Sequence, residues 1–184
     1  MIRFFDLLFA ATGLILGAPL LVFLAILVWW DTRSPLFRQV RVGRGQRGFT
    51  LVKFRTMRPE TANVPTHMVS ASSITLLGGF LRRTKLDELP QLWNVLIGDM
   101  SLVGPRPGLP AQRDLLQARE AEGVFAARPG ITGLAQLRGI DMSTPDLLAR
   151  TDAEMLRGLD VHSYFAYLFR TVLGEGAGDR VRRS

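Results

Sequence analysis

Residues 7–30 carry no charged side chain: 24 consecutive positions, mostly Leu, Ile, Val, Ala and Phe, bounded by Asp6 and Asp31. As a straight helix such a run would be about 36 Å long, enough to cross the hydrocarbon core of a bilayer. A cleaved secretory leader is disfavoured, because the run is too long, Arg3 is balanced by Asp6, and no small-x-small cleavage pattern follows. Trp29 and Trp30 suit an aromatic anchor at the membrane–water boundary. Pro19, two residues after Gly17, sits in the middle of the run. Proline removes a backbone donor and clashes with the preceding turn, so it kinks or breaks a helix. Two geometries follow: a kinked span, or a segment that enters the membrane and turns back.

The rest of the chain is polar enough for a soluble fold. Eight basic residues lie between Thr32 and Pro59 with no acid among them, Arg33 and Arg58 being the outermost. The positive-inside tendency assigns this flank, and the domain after it, to the cytoplasm, and such a flank also attracts anionic headgroups. In a bacterium the membrane would be the inner one. The formal charge is +7, carried by 21 arginines against only two lysines, Lys53 and Lys85. Arginine's planar fork suits phosphate, although a genome that favours arginine would give the same composition. There is no cysteine and only His67 and His162, which excludes disulfides, thiol chemistry and histidine-cluster mechanisms.

Two extended segments, 36–42 and 49–54, alternate apolar with basic residues around a glycine turn. The spacing Gly43-x-Gly45-x-x-Gly48 matches a dinucleotide loop only numerically, since no parallel strand–turn–helix unit surrounds it. Residues 61–73 read as a loop. Helices are expected over 74–83, 86–97, 111–122 and 161–173, and one opening at Thr144-Pro145. The apolar side of 161–173 fits ordinary packing or a helix lying in the membrane interface. The stretches 103–108 and 128–133, rich in Pro and Gly, read as loops. The terminal Arg180, Arg182 and Arg183 read as a solvated tail.

Candidate chemistry centres on Asp87 and Glu88, adjacent acids at the start of the 86–97 helix among Arg82, Arg83 and Lys85. Acids are favoured in any first helical turn, and Thr84-x-x-Asp87 fits a capping box. The functional alternative makes one carboxylate a nucleophile, kept ionised by cations, and the other a handler of metal or protons. Lys53, Arg55, Arg106 and Arg128 are cations on three loops, two of them beside prolines that would hold them rigid. Each could equally be a solvated surface charge.

The motifs are then recognisable. FRQVRVG at 37–43, KFRTM at 53–57, LDELPQLWNVLIGDMSLVGPRP at 86–107 and RPGITG at 128–133 occur in order. The chain resembles the bacterial sugar transferase family, the monotopic phosphoglycosyl transferases, over nearly its whole length and in its minimal catalytic form. The resemblance implies a fold that is mostly α with a little β. An N-terminal re-entrant helix–break–helix, residues 1–31, would dip into one leaflet and break at Pro19. A small cytoplasmic α/β-type catalytic domain with amphipathic interface helices, residues 32–184, would follow. It implies transfer of a phospho-sugar from a UDP-sugar to polyprenyl (undecaprenyl) phosphate with release of UMP, the first membrane step of glycoconjugate synthesis. Relatives with a similar C-terminal half lean toward an N-acetylated sugar. Asp87 would attack the β-phosphorus to give an aspartyl phospho-sugar, and Glu88 would assist. Mg2+ would sit at Asp87 and Glu88. Lys53, Arg55, Arg82, Arg83, Arg106 and Arg128 would contact phosphate or substrate. Two departures from the family pattern stand out: Ala18 where serine usually precedes the breaking proline, and Leu134 where tryptophan is common.

The rival class is a membrane-tethered binding module whose basic surface holds anionic lipid or nucleic acid. Residues 33–58 would permit it. However, only Phe37, Phe49 and Phe54 could stack on bases there, and no nucleic-acid fold signature is present, so nucleic acid is not an expected partner.

Overall fold

The computed structural model describes residues 1–60 and 73–176. The chain is mostly helical, with two small two-stranded sheets among the described residues. The apolar run forms one helix, α1 (Ile2–Thr32), with Pro19 inside it. It is long and apolar enough to cross a membrane. The break expected at Pro19 does not interrupt the helix: helical structure continues through the proline. A proline deprives the helix of one hydrogen bond, to the carbonyl four residues earlier, and the turns on either side keep theirs. Gly17 leaves the turn open, with nothing within 4 Å of where its Cβ would lie.

Both ends of α1 dock on the rest of the chain. Near the start, Arg3 donates to the carbonyls of Met100 (3.2 Å) and Leu96 (3.3 Å). Asp6 is 2% exposed. Its Oδ1 accepts from Ser101 Oγ (2.9 Å), the Leu102 amide (2.9 Å) and the Tyr164 hydroxyl (3.0 Å). Burial pushes the titration of Tyr164 far up and the charge on Asp6 adds to it, so the phenol stays a donor. Near the other end, Leu24 and Val28 pack with Phe54 and Leu81. Between the docked ends, Ile15, Leu16 and Leu20 are exposed. Asp6→Asn keeps an acceptor but loses the charge that strengthens three hydrogen bonds. The expected cost is about 1–2 kcal/mol, read as a lower thermal midpoint of the purified protein in detergent.

β1 (Leu36–Val42) and β2 (Gly48–Phe54) pair antiparallel, Leu36 opposite Phe54 and Val42 opposite Gly48. The glycine-rich 43–48 stretch is their hairpin turn. α2 (Leu76–Thr84) is capped by Thr75, whose hydroxyl accepts from the Gly78 amide. The helix expected over 86–97 is split. Lys85 takes a left-handed φ of 58°, a single 3-10 turn spans Leu86–Glu88, and α3 (Gln91–Ile97) starts after Pro90. Proline supplies no amide to continue the earlier turn, which decides the boundary.

The 128–133 stretch, expected as a loop, contains a strand. β4 (Gly130–Thr132) runs parallel to β3 (Ser101–Val103). Its backbone lies so close to Gly104 that a Cβ on Gly130 would fall on the Gly104 amide nitrogen. That contact between two glycines leaves no trace in hydrophobic periodicity. α4 (Arg113–Ala121), α5 (Leu134–Leu137), α6 (Pro145–Arg157) and α7 (Val161–Val172) complete the body. α7 opens on a capping box between Asp160 and Ser163. It buries Tyr164 and leaves Phe169 and Val172 exposed. His162 is exposed on α7. Residues 61–72 of the expected loop, with His67, and the tail arginines Arg180, Arg182 and Arg183 lie outside the described residues.

Candidate active site

The turn that carries the acid pair is built by what ends α2. Thr84 donates its hydroxyl back to the carbonyls of Phe80 (3.0 Å) and Leu81 (3.1 Å). It therefore closes α2 instead of forming the expected capping box with Asp87. Lys85 then reverses the chain, and Asp87 and Glu88 fall on a tight turn. Asp87 is 4% exposed. Glu88 Oε1 pairs with Arg106 Nη2 at 3.1 Å.

Arg106 is aimed by its loop. The carbonyls of Pro105, Arg106 and Pro107 are each engaged: by the Gly130 amide (2.9 Å), by Arg119 Nη1 (2.8 Å) and by Arg41 Nη1 (3.0 Å). Two of these three residues are prolines with no amide to offer, and all three are held through their carbonyls. Arg119 is itself held by Asp152, Nη2 to Oδ2 at 2.7 Å and Nε at 3.0 Å, with both residues buried. Burial pushes the Asp152 carboxyl up, and the Arg119 charge draws it back part of the way.

Asp87 and Glu88 line a cleft of about 180 Å³ together with Arg82, Lys85, Arg106 and Glu175. Its apolar walls include Leu89, Leu102, Ile131 and Leu168. Arg82 donates Nε to Thr56 Oγ1 (2.8 Å), and its Nη1 is buried with no hydrogen-bond partner among the described residues. Lys85 Nζ donates to the Glu175 carbonyl (2.9 Å), and the Glu175 carboxylate pairs with Arg170 (2.7 Å).

Of the six cations named from sequence, the cleft gathers Arg82 and Arg106. Lys53 is buried in an adjoining hollow that shares Arg106 with the cleft. Lys53 and Arg55 both lie over the Phe37 ring, at 5.8 and 5.4 Å from its centroid, and Arg55 also donates to the Ser34 carbonyl. Arg83 is exposed at the end of α2. Arg128 donates to the Gly98 carbonyl (2.9 Å) and lines a separate hollow with Arg44, Arg47 and Asp99. Sequence reading missed Gln136 and Glu175 at the cleft, and the Arg119–Asp152 pair behind it. Lys85 had been noted only as a neighbouring charge. Its left-handed φ has no signature in side-chain chemistry.

Three cations line the cleft against three carboxylates. A diphosphate entering it would therefore bring negative charge that the lining does not offset. No group of three His, Cys, Asp or Glu suited to a metal occurs among the described residues. A magnesium ion is commonly held by one or two carboxylates plus substrate phosphates. Asp87 and Glu88 fit that donor set.

A family profile described as bacterial sugar transferase matches residues 1–175. The chain is 45% identical over 143 residues to the UDP-glucose:undecaprenyl-phosphate glucose-1-phosphate transferase of Caulobacter vibrioides, covering 75% of this chain and 54% of that one. It is 42% identical over 147 residues to exopolysaccharide production protein PSS of Rhizobium leguminosarum bv. phaseoli, covering 75% and 74%. With the undecaprenyl-phosphate glucose phosphotransferase of Komagataeibacter xylinus it shares 38% over 187 residues, covering 94% and 35%. The first and third relatives are thus considerably longer than the part the chain matches.

Proposed function

This chain belongs to the bacterial sugar transferase family, and on that premise we propose that it moves a phospho-sugar from a UDP-sugar to polyprenyl phosphate, releasing UMP. The observation that carries the reading is the cleft itself: a buried Asp87 beside Glu88, faced by Arg82, Lys85 and a pinned Arg106.

In the proposed first step an Asp87 oxygen attacks the β-phosphorus. The bond to the bridging oxygen breaks, and UMP departs with the bonding electrons. The phospho-sugar stays on Asp87 as an acyl phosphate. In the second step an oxygen of polyprenyl phosphate attacks the same phosphorus and Asp87 leaves as a carboxylate. A covalent intermediate lets a water-soluble donor and a lipid acceptor use one site in turn. Arg82 and Arg106 stabilise charge on the phosphate oxygens. Asp87 and Glu88 would hold a magnesium ion, whose chemistry there would be further charge neutralisation. Glu88 keeps Arg106 in place. Glu88→Gln is expected to lower the rate of UMP release by about 10²-fold or more.

The membrane arrangement belongs to the same proposal. If α1 crossed the bilayer, about 30 Å of hydrocarbon would separate its ends. Yet Arg3 and Asp6 at one end and Leu24 and Val28 at the other all dock on a single body. We therefore read α1 as dipping into one leaflet, bent at Pro19, with both ends on the cytoplasmic side of a bacterial inner membrane. Exposed Trp93, Ile97 and Phe169 add apolar surface outside the helix. The chain has no cysteine. Single cysteines inserted after Met1 and placed at Ser184 should both react with a membrane-impermeant maleimide in inverted vesicles, and neither in intact spheroplasts.

The names of relatives divide among glucose, galactose and an N-acetylated sugar, so the donor is what the assay decides. The test is UMP release by the purified chain in nanodiscs containing undecaprenyl phosphate and magnesium. UDP-glucose, UDP-galactose and UDP-N-acetylglucosamine are compared. Release of UDP in place of UMP would refute the proposed chemistry.

A further inference from the structure

Gln136, on α5, lines the same cleft as the acid pair. Its Nε2 donates to the Ile131 carbonyl at 2.7 Å. That bond fixes the amide, because the flipped orientation would set oxygen against oxygen. The other end is left over: Oε1 is buried and accepts no hydrogen bond among the described residues. A buried acceptor without a partner is costly, and one that borders a ligand cleft is a group waiting for a donor.

The surroundings narrow what that donor is. Ile131, Leu137, Leu168 and Val172 line this part of the cleft. The two nearby hydroxyls have no proton to spare: Thr171 donates to the Tyr167 carbonyl (2.8 Å), and Thr132 meets Thr171 (2.7 Å). A hexose buried here would bring several hydroxyls to apolar walls, each unmatched at a cost. An isoprenoid would leave the acceptor unpaired. A planar ring lays its face on such walls and gives its N–H to the oxygen. In the same cleft, Arg82 Nη1 is an unpaired buried donor suited to a phosphate oxygen. An acceptor for a base and a donor for a phosphate in one cleft fit a nucleotide.

We propose that Gln136 is the residue that reads the nucleobase of the donor, accepting a hydrogen bond from uracil N3–H through Oε1. This rests on the UDP-sugar reading above. It predicts discrimination against cytosine, whose N3 is an acceptor and would oppose Oε1.

The test uses the full chain in nanodiscs, with UMP, CMP and 3-methyl-UMP as inhibitors of UMP-forming turnover. The wild-type protein should bind UMP about tenfold or more tightly than either CMP or 3-methyl-UMP. Gln136→Met should weaken UMP and relieve CMP, so that the preference between the two is lost. Equal inhibition by UMP and 3-methyl-UMP in the wild type overturns the proposal, and that arm needs no variant to fold. So does a Gln136→Met protein that keeps its preference for UMP but changes its preference among sugars. If the wild type releases UMP in the assay while either of these results is seen, only the role of Gln136 fails. Absence of UMP release from every donor would remove the transferase reading itself.

Discussion

Asp87→Asn abolishes UMP release, lowering turnover by about 10⁴-fold or more, while the protein remains folded. The magnitude follows from the role: an amide cannot form the acyl phosphate, and removing a nucleophile eliminates the covalent route. The side chain keeps its shape, so the tight turn at Leu86–Glu88 and the Glu88–Arg106 pair are retained. Incubating the wild-type chain with UDP-sugar labelled in the β-phosphate, without acceptor, should leave label on the protein that hydroxylamine removes. The Asp87→Asn protein should carry none. A variant that turns over normally, or that is labelled as well as wild type, would show that another group attacks the phosphorus.

Much of this site could be read in the sequence, and the reason is local. Asp87 and Glu88 are neighbours in the chain, Arg106 sits between two prolines, and the 36–42 and 49–54 strands alternate as a half-buried hairpin must. The apolar run from residue 7 to residue 30 announces a long apolar helix by its length and composition. What the sequence hides depends on distant partners, with one local exception at Thr84. The capping box at Thr84 was a plausible local pattern, but the hydroxyl found closer carbonyls behind it in α2. β4 exists because Gly130 and Gly104 lack side chains and can touch, a property of two residues 26 positions apart. Asp6 looked like a flanking charge at the start of an apolar run. Its hydrogen-bond partners lie 95, 96 and 158 residues away, and they convert it into the anchor of the helix. Gln136 shows the same limit from the other side. Nothing in its neighbours says that one end of its amide is taken by Ile131 and the other left open.

Arg119→Met destabilises the protein by about 3–5 kcal/mol, and the loss is greater at alkaline than at mildly acidic pH. Arg119 and Asp152 are 2% and 1% exposed and meet at 2.7 Å. Removing the cation leaves a carboxylate in an apolar interior with nothing to offset its desolvation, which sets the size of the effect. Burial already raises the Asp152 carboxyl above its ordinary range even with Arg119 beside it. Without Arg119 it rises further. An acid whose pKa is higher folded than unfolded holds more protons in the folded state between the two values, so stability falls as pH rises through that interval. At the acid end the variant relieves its buried charge by taking up a proton; at the alkaline end it cannot. Urea unfolding of the detergent-solubilised chain across this range should show the difference widening with pH. Asp152→Asn added to Arg119→Met should recover part of the stability, because it removes the charge that was left unpaired. Catalysis will not recover with it. Arg119 Nη1 also holds the Arg106 carbonyl, and neither methionine nor the asparagine can replace that bond. The double variant is therefore expected to be better folded than Arg119→Met yet no faster, with Arg106 no longer fixed against Glu88. Full recovery of turnover alongside stability would mean that the pair serves packing alone.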